Sequence, residues 1–196
     1  MTPALSVIVV TSGRPLLTRA LRSIQAQPLA PQDEVLVVGA GDFVREQAAA
    51  FGYRFIPDGP FGCWGQRERQ AAMRHATGTH LVFMDDDDFY LEGAFAAIRA
   101  ALTAHPARPI LFRMHEMHGL VLWRRRSLEC GNVSGTQFVT PNDPAKLGVW
   151  GLSHEGDFDF IVSTLAQYPP RALVWDGSII VGCRTQGVPA GSAVPA

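Results

Sequence analysis

Short aliphatic, β-branched runs alternate with amphipathic stretches through the first half of the chain, and this alternation restricts the fold more than any other feature. "LSVIVV" (5–10) reads as a strand covered on both faces, stopped by the turn residues of "TSGRP". "LLTRALRSIQAQ" then puts Leu17, Ala20, Leu21 and Ile24 on one helical face and Arg19 and Arg22 on the other, with Pro28 and Pro31 closing the segment. The pattern repeats: "EVLVVGAGD" is a strand ending in a glycine-rich loop, and "FVREQAAAFG" is a helix with Gly52 just past its end. "YRFIPD" is a short strand, "GPFGCWG" a loop, "QRERQAAMRHATG" a helix and "THLVFM" a further strand. Strand and helix in strict alternation predict an α/β chain with an open, mostly parallel sheet flanked by helices.

After one more helix, "LEGAFAAIRAALTAHP", the rhythm changes. "PILFRMHEMHGLVLW" predicts a hairpin, "GNVSGTQFVTP" a strand, "DFDFIVSTLAQYP" a helix and "ALVWDGSIIVGCR" a terminal pair of short strands, which together make a small antiparallel C-terminal portion. "GVPAGSAVPA" is composed like a flexible tail, so a single domain is expected over 1–186 and a tail over 187–196. With 196 residues, 47% hydrophobic and a net charge of -1, the chain can bury a core and has no broad basic surface for nucleic acid, although "RRR" at Arg124 to Arg126 is a local basic patch. Cys63, Cys130 and Cys183 form no CxxC pair, which points to reduced thiols in a cytoplasm. The N-terminus has no signal-peptide pattern, and no apolar run approaches the roughly eighteen residues of a membrane span.

"LVFMDDDDFY" (81–90) runs a buried-looking strand into four consecutive aspartates, Asp85 to Asp88. In an open α/β sheet, ligands bind beyond the carboxyl ends of the parallel strands, where these residues lie. Adjacent carboxylates repel, and a divalent cation is the simplest compensation; hard cations such as Mn2+ and Mg2+ commonly bridge one or two carboxylates and a substrate's phosphates. The competing reading is a solvated acidic turn with Asp88 near the N-terminus of the following helix.

Taken in order, these pieces resemble family-two-like glycosyltransferases of the GT-A fold, which use nucleotide-diphospho-sugars. "LSVIVVTSGRPLLTRALRSIQAQ" is similar to their opening strand, nucleotide-facing loop and first helix; "ATGTHLVFMDDDD" to their metal-binding DxD strand end; "LGVWGLSHEGDFDF" to a glycine-rich turn followed by Glu-Asp-x-Asp; "IIVGCRTQG" to their final strand. The resemblance implies a metal-dependent transferase, inverting in mechanism, moving a sugar from a UDP-sugar donor to a hydroxyl acceptor on a glycan, a protein or modified nucleic acid.

Residue by residue, the resemblance assigns Thr11, Ser12 and Arg14 to the nucleotide, Asp85 and Asp86 to the nucleotide, and Asp87 to the metal. Aligning "ERQ" with the family's Ala-Arg-Asn puts Arg69, or its neighbour Arg67, against the diphosphate, where a planar guanidinium fork suits phosphate oxygens. Asp157 falls on the catalytic base that takes the acceptor's proton. The family's preceding glutamate is replaced by Gly156, with Glu155 one place away to do its work. Trp64 is an aromatic wall for sugar or base, and Asn132, Thr136 and Gln137 offer hydrogen bonds to donor sugar or acceptor. His154 is a further candidate metal or phosphate contact. The family's base-contacting aspartate after the second strand is missing: Gly39 and Ala40 stand there, with Asp42 close by as a substitute or a helix cap.

A retaining transferase of the same fold stays open beside the inverting one, and two other readings remain at this level. A nucleotidyltransferase shares a similar sheet, but "TSGRPLL" lacks the lysine of its glycine-rich signature. A catalytically weak or inactive nucleotide-sugar-binding module is the other, consistent with the missing aspartate and replaced glutamate. The length leaves no room for the C-terminal additions of processive synthases, which favours single transfer to a soluble acceptor.

Overall fold

A computed structural model describes residues 3–59, 62–116 and 119–183. The alternation of the first half is realised as β1 (Leu5–Val10), α1 (Leu17–Gln25), β2 (Glu34–Gly39), α2 (Asp42–Ala50), β3 (Arg54–Pro57), α3 (Gln66–Ala72) and β4 (His80–Asp85). β1 lies between β2 and β4 and pairs with both in parallel, Val7 opposite Val35 on one side and Val82 on the other. All six β1 residues are buried. Successive side chains point to opposite faces: Leu5, Val7 and Val9 meet Leu17, Leu21 and Ile24 of α1, while Ile8 and Val10 join Phe83, Trp150 and Phe160 on the other face. A strand covered on both sides has no polar face to show, which is why its sequence does not alternate.

The rest of the chain adds β5 (Asp88–Tyr90), α4 (Ala94–Ala104), β6 (Ile110–His115), β7 (Val121–Leu122), β8 (Phe138–Pro141), α5 (Gly156–Leu165) and β9 (Val174–Cys183). The strand order is β3-β2-β1-β4-β8-β6-β9-β5, with β7 on β6. The expected hairpin is β6–β7, with Met114 opposite Leu122. β8 is antiparallel to β4 and β6, and β5 to β9, as the change of rhythm predicts.

Three expectations need correction. The terminal pair of strands is one strand, β9, parallel to β6 and bulged between Trp175 and Ile179, where the Ser178 amide turns onto the Asp176 carboxylate at 2.8 Å. Asp88 caps no helix; it opens β5, which lies at the far edge of the curled sheet from β4 in strand order, so Asp86 and Asp87 carry the chain across. Asp42 starts α2 without capping it, and its carboxylate pairs with Arg45 at 2.8 Å on the surface. The expected domain end at 186, the tail over 187–196, the final-strand Arg184 and Gly187, and parts of the "GPFGCWG" and "HEMHG" loops lie outside the described residues. Among the described residues no helix is long and apolar enough to cross a membrane.

Candidate functional site

The site forms at the carboxyl ends of β1 and β4. Leaving β1, the chain turns through Gly13 at φ 84°, a left-handed geometry that costs glycine little. The turn aims Thr11 and the Ser12 amide at the aspartates: Thr11 Oγ1 donates to Asp86 Oδ2 at 2.7 Å and the Ser12 N–H donates to the same oxygen at 3.2 Å. Arg14 bonds the other Asp86 oxygen and reaches Asp87 Oδ2 at 3.2 Å. Arg19, placed by the sequence on the outer face of α1, is half-buried instead, with its guanidinium 4.8 Å from the Phe89 ring centre and donating to the Asp87 carbonyl.

These contacts revise the charge argument for a cation. The cluster is compensated by Arg14 on Asp86 and Asp87 and by Arg69 on Asp85. Asp88 is fully enclosed: burial is the main cause that pushes its carboxyl up to about 7, against a hydrogen bond from Cys183, with Asp87 adding to the rise and Arg69 and Arg19 opposing it. Among the described residues no three His, Cys, Asp or Glu side chains are grouped to hold a metal ion.

Arg69 is the pivot between the two halves of the site. The preceding loop takes Cys63 and Trp64 through left-handed backbone at φ 51° and 53°, uncommon for residues with a Cβ. Arg69 ties that loop down by donating to the Trp64 carbonyl at 2.8 Å, to Gln66 Oε1 at 3.2 Å and to the Asp85 carboxylate, with its guanidinium 5.0 Å from the Trp150 ring centre. Burial lowers this guanidinium to about 10, against the pull of Asp157, Asp88, Glu68 and Asp86, so it stays cationic at neutral pH. Arg67 is exposed and lines no part of the cleft, so of the two candidate arginines only Arg69 is in place.

Asp157 stands in the first turn of α5, accepting from the Gly135 amide at 3.1 Å and from the Phe158 amide at 2.7 Å. It lines a cavity of about 480 Å³ together with Trp64, Arg69, Asp85, Trp150 and Glu155. A second hollow of about 350 Å³ is walled by Ser12, Arg14, Asp85, Asp86 and Asp87. Trp64, Arg69, Asp85 and His154 line both, so the two form one cleft, with the exposed Trp64 ring edge-on to His154 at 5.6 Å.

Gly156 could not carry the glutamate that the resemblance expects there. A Cβ would come 2.0 Å from the Gly151 carbonyl oxygen and 2.9 Å from the Gln66 amide, which fills that space and holds Arg69. Gly39 is closed in the same way: its Cβ would lie 2.7 Å from the Thr11 carbonyl oxygen. Two expected pocket residues are structural. Gln137 is wholly buried, donating to the Phe112 carbonyl at 3.1 Å and accepting from the Ser134 amide at 2.7 Å, which closes a capping box. Asn132 is buried outside the main cleft and braces the loop 124–129. Thr136 does line the cleft, beside Gly135 and Ser134. Gln66 and Trp150 were not singled out by sequence; Gln66's position three residues before Arg69 was the available signal.

The sheet order, the strand-end aspartates and the cleft define a nucleotide-sugar transferase fold of GT-A type. The model for glycosyl transferase family 2 matches residues 6–152, and the chain belongs to that family. Among solved structures, Staphylococcus aureus TarS superimposes with a TM-score of 0.75 at 16% identity, over 93% of this chain and 37% of TarS. TarS 1-349 in complex with UDP-GlcNAc superimposes with a TM-score of 0.73 at 15% identity, over 97% of this chain and 61% of that one. Its complex with UDP gives 0.72 at 16% identity, over 93% and 60%. The chain thus spans between 37% and 61% of the length of these structures. No curated protein matches it.

Proposed function

We propose that this chain transfers a glycosyl group from a nucleoside-diphosphate sugar to an acceptor hydroxyl, with inversion at the anomeric carbon. The observation that carries the reading is the single cleft joining Asp85 to Asp87, Arg14, Arg69 and Asp157. In the reaction, the bond between the anomeric carbon and the β-phosphate oxygen breaks, the acceptor oxygen bonds to that carbon from the opposite face, its proton passes to Asp157, and the nucleoside diphosphate leaves. Arg69 and Arg14 stand where they can neutralise the charge gathering on the diphosphate, and Arg69 is dry enough for that attraction to be strong.

A divalent cation, Mn2+ or Mg2+, fits this site in one form only. All three carboxylates line the cleft and each already meets an arginine: Asp86 accepts from Thr11, Ser12 and Arg14, Asp87 from Arg14, and Asp85 from Arg69. That suits a cation taking one or two carboxylates, Asp87 foremost, and completing its shell with diphosphate oxygens; it does not suit an all-protein cage. When bound, the cation would supply Lewis-acid stabilisation of the leaving group.

The donor is read as a UDP-sugar, supported by the UDP and UDP-GlcNAc complexes of the structurally similar TarS. The base would lie over the ends of β2 and β3, where a hollow of about 430 Å³ is lined by Gly39, Ala40, Asp42 and Asp58. Asp58, whose amide bonds the Gly39 carbonyl at 3.0 Å, offers a carboxylate to a base N–H in place of the missing aspartate. Three cysteines with no CxxC pair among them fit a reducing, cytoplasmic setting. A thermal-shift panel of nucleoside diphosphates, with and without Mn2+, tests the reading on wild type and Asp87→Ala. Stabilisation by UDP that requires the metal and is lost in the variant supports it; no shift with any nucleotide contradicts it.

A further inference from the structure

The basic triplet Arg124–Arg126 takes no part in the reaction above, yet the chain holds its backbone firmly beside the cleft. Buried Asn132 uses its whole amide on this loop: Oδ1 accepts from the Arg124 N–H at 2.9 Å, and Nδ2 donates to the Arg125 carbonyl at 2.8 Å and the Ser127 carbonyl at 2.7 Å. The Asn132 amide N–H adds a bond to the Glu129 carbonyl at 3.0 Å. On the other side, Trp123 anchors the loop, edge-on to Trp175 at 5.2 Å and donating from Nε1 to the Leu111 carbonyl at 3.3 Å. A disordered charged loop needs no such bracing.

The braced loop walls a hollow of about 350 Å³ lined by Arg124, Arg125, Glu129, Cys130 and Asn132. Cys130 also lines the main cleft, where its thiol is hydrogen-bonded with Glu155 and within electrostatic reach of Asp157, so the hollow adjoins the part of the cleft that holds the proposed base. Among the described residues Arg124 has no ion-pair partner, and Arg125 has one, Glu129 at i+4 on an exposed surface. Arg126 points elsewhere, its guanidinium 5.7 Å from the Trp123 ring centre. Arg125 is shared between Glu129 and the Ser127 hydroxyl at 3.1 Å, and Glu155 acts on the Cys130 side of the hollow, so the positive charge is confined to the arginine side, with Arg124 as its unpaired group among the described residues.

We infer that Arg124 and Arg125 form an acceptor subsite for an oxyanion, so that the acceptor is a hydroxylated molecule carrying a phosphate ester or a carboxylate near the hydroxyl that is glycosylated. The guanidinium fork bonds both groups in pairs. The inference rests on the transferase reading of the same cleft.

The test is an NMR titration of the full chain, first saturated with UDP and diamagnetic Mg2+ and then given glycerol 3-phosphate, glycerate or neutral glycerol. One or both anions should move the Arg124 and Arg125 resonances while glycerol does not, and which anion binds more tightly separates a phosphate-bearing from a carboxylate-bearing acceptor. The double variant R124Q/R125Q should weaken that binding by about tenfold or more, whereas R126Q should change it less than about twofold. If UDP binds but no anion moves these resonances, or the double variant binds as wild type does, the subsite is overturned. If UDP itself does not bind, the transferase reading fails and takes the acceptor assignment with it.

Discussion

Substitution of Asp157 tests whether the chain is a catalyst or a module that merely holds nucleotide sugar. Asp157→Asn preserves the size of the side chain and its acceptor oxygen for the Gly135 or Phe158 amide, so donor affinity by calorimetry should stay within about twofold while turnover falls by about 10²- to 10⁴-fold. Equal losses in both would mark a structural residue instead. Gly156 makes the opposite kind of prediction. With Gly151's carbonyl 2.0 Å from a built Cβ, Gly156→Ala should cost about 1–3 kcal/mol in denaturant unfolding, and an unchanged midpoint would show that the α5 entry yields easily. At this scale the sequence was readable for which side chains gather at the strand ends, Ser12, Arg14, Arg69 and Asp85 to Asp87 among them, whereas Thr11, expected at the nucleotide, is wholly buried behind Asp86. It was not readable for Gln137 and Asn132, because a polar side chain spent on backbone partners inside the fold has the same letter as one that faces a ligand.

At the scale of elements, the continuous runs gave β1, β2 and β4 because burial on both faces leaves a compositional mark, and α1 because its apolar stripe repeats at helical spacing. β9 was harder: its bulge at Asp176–Ser178 interrupts the apolar pattern, so one strand looks like two. β5 was invisible, since a three-residue strand that begins with an aspartate has no pattern of its own. Helix α5 ties fold to site: Phe160 stacks on Trp150 at 4.4 Å and 7°, meets Phe83 and Phe138 edge-on, and so supports the ring beneath Arg69. Phe160→Ala should cost about 3–5 kcal/mol of stability and weaken UDP binding as Arg69 loses its support. Retained UDP affinity in a folded variant would show that Asp85 and Gln66 alone position Arg69.

Across the whole molecule, the acidic cluster makes folding depend on pH in a direction set by Asp88. Its carboxyl is raised from an ordinary 3.8 to about 7 by burial, and its Oδ1 has no hydrogen-bond partner, so the neutral acid is the form the fold prefers. The stability tied to that proton is fully present below the ordinary value and is lost as pH rises through about 7. Without ligand, Asp88→Asn should therefore gain stability relative to wild type at pH 8 and lose that advantage near pH 4; an advantage equal at both pH values would contradict the assignment. The central claim is that one cleft holds the donor at the β4 end and deprotonates an acceptor at the start of α5. Its most direct measurement is release of UDP from UDP-sugars in the presence of Mn2+ and a panel of hydroxylated acceptors, neutral and anionic, by wild type and by Asp157→Asn, with UDP affinity recorded for both. The account predicts UDP release by wild type, a loss of at least about a hundredfold in the variant, and matching UDP affinities. Release at equal rates by both proteins, or UDP bound but never released from any donor, would contradict it.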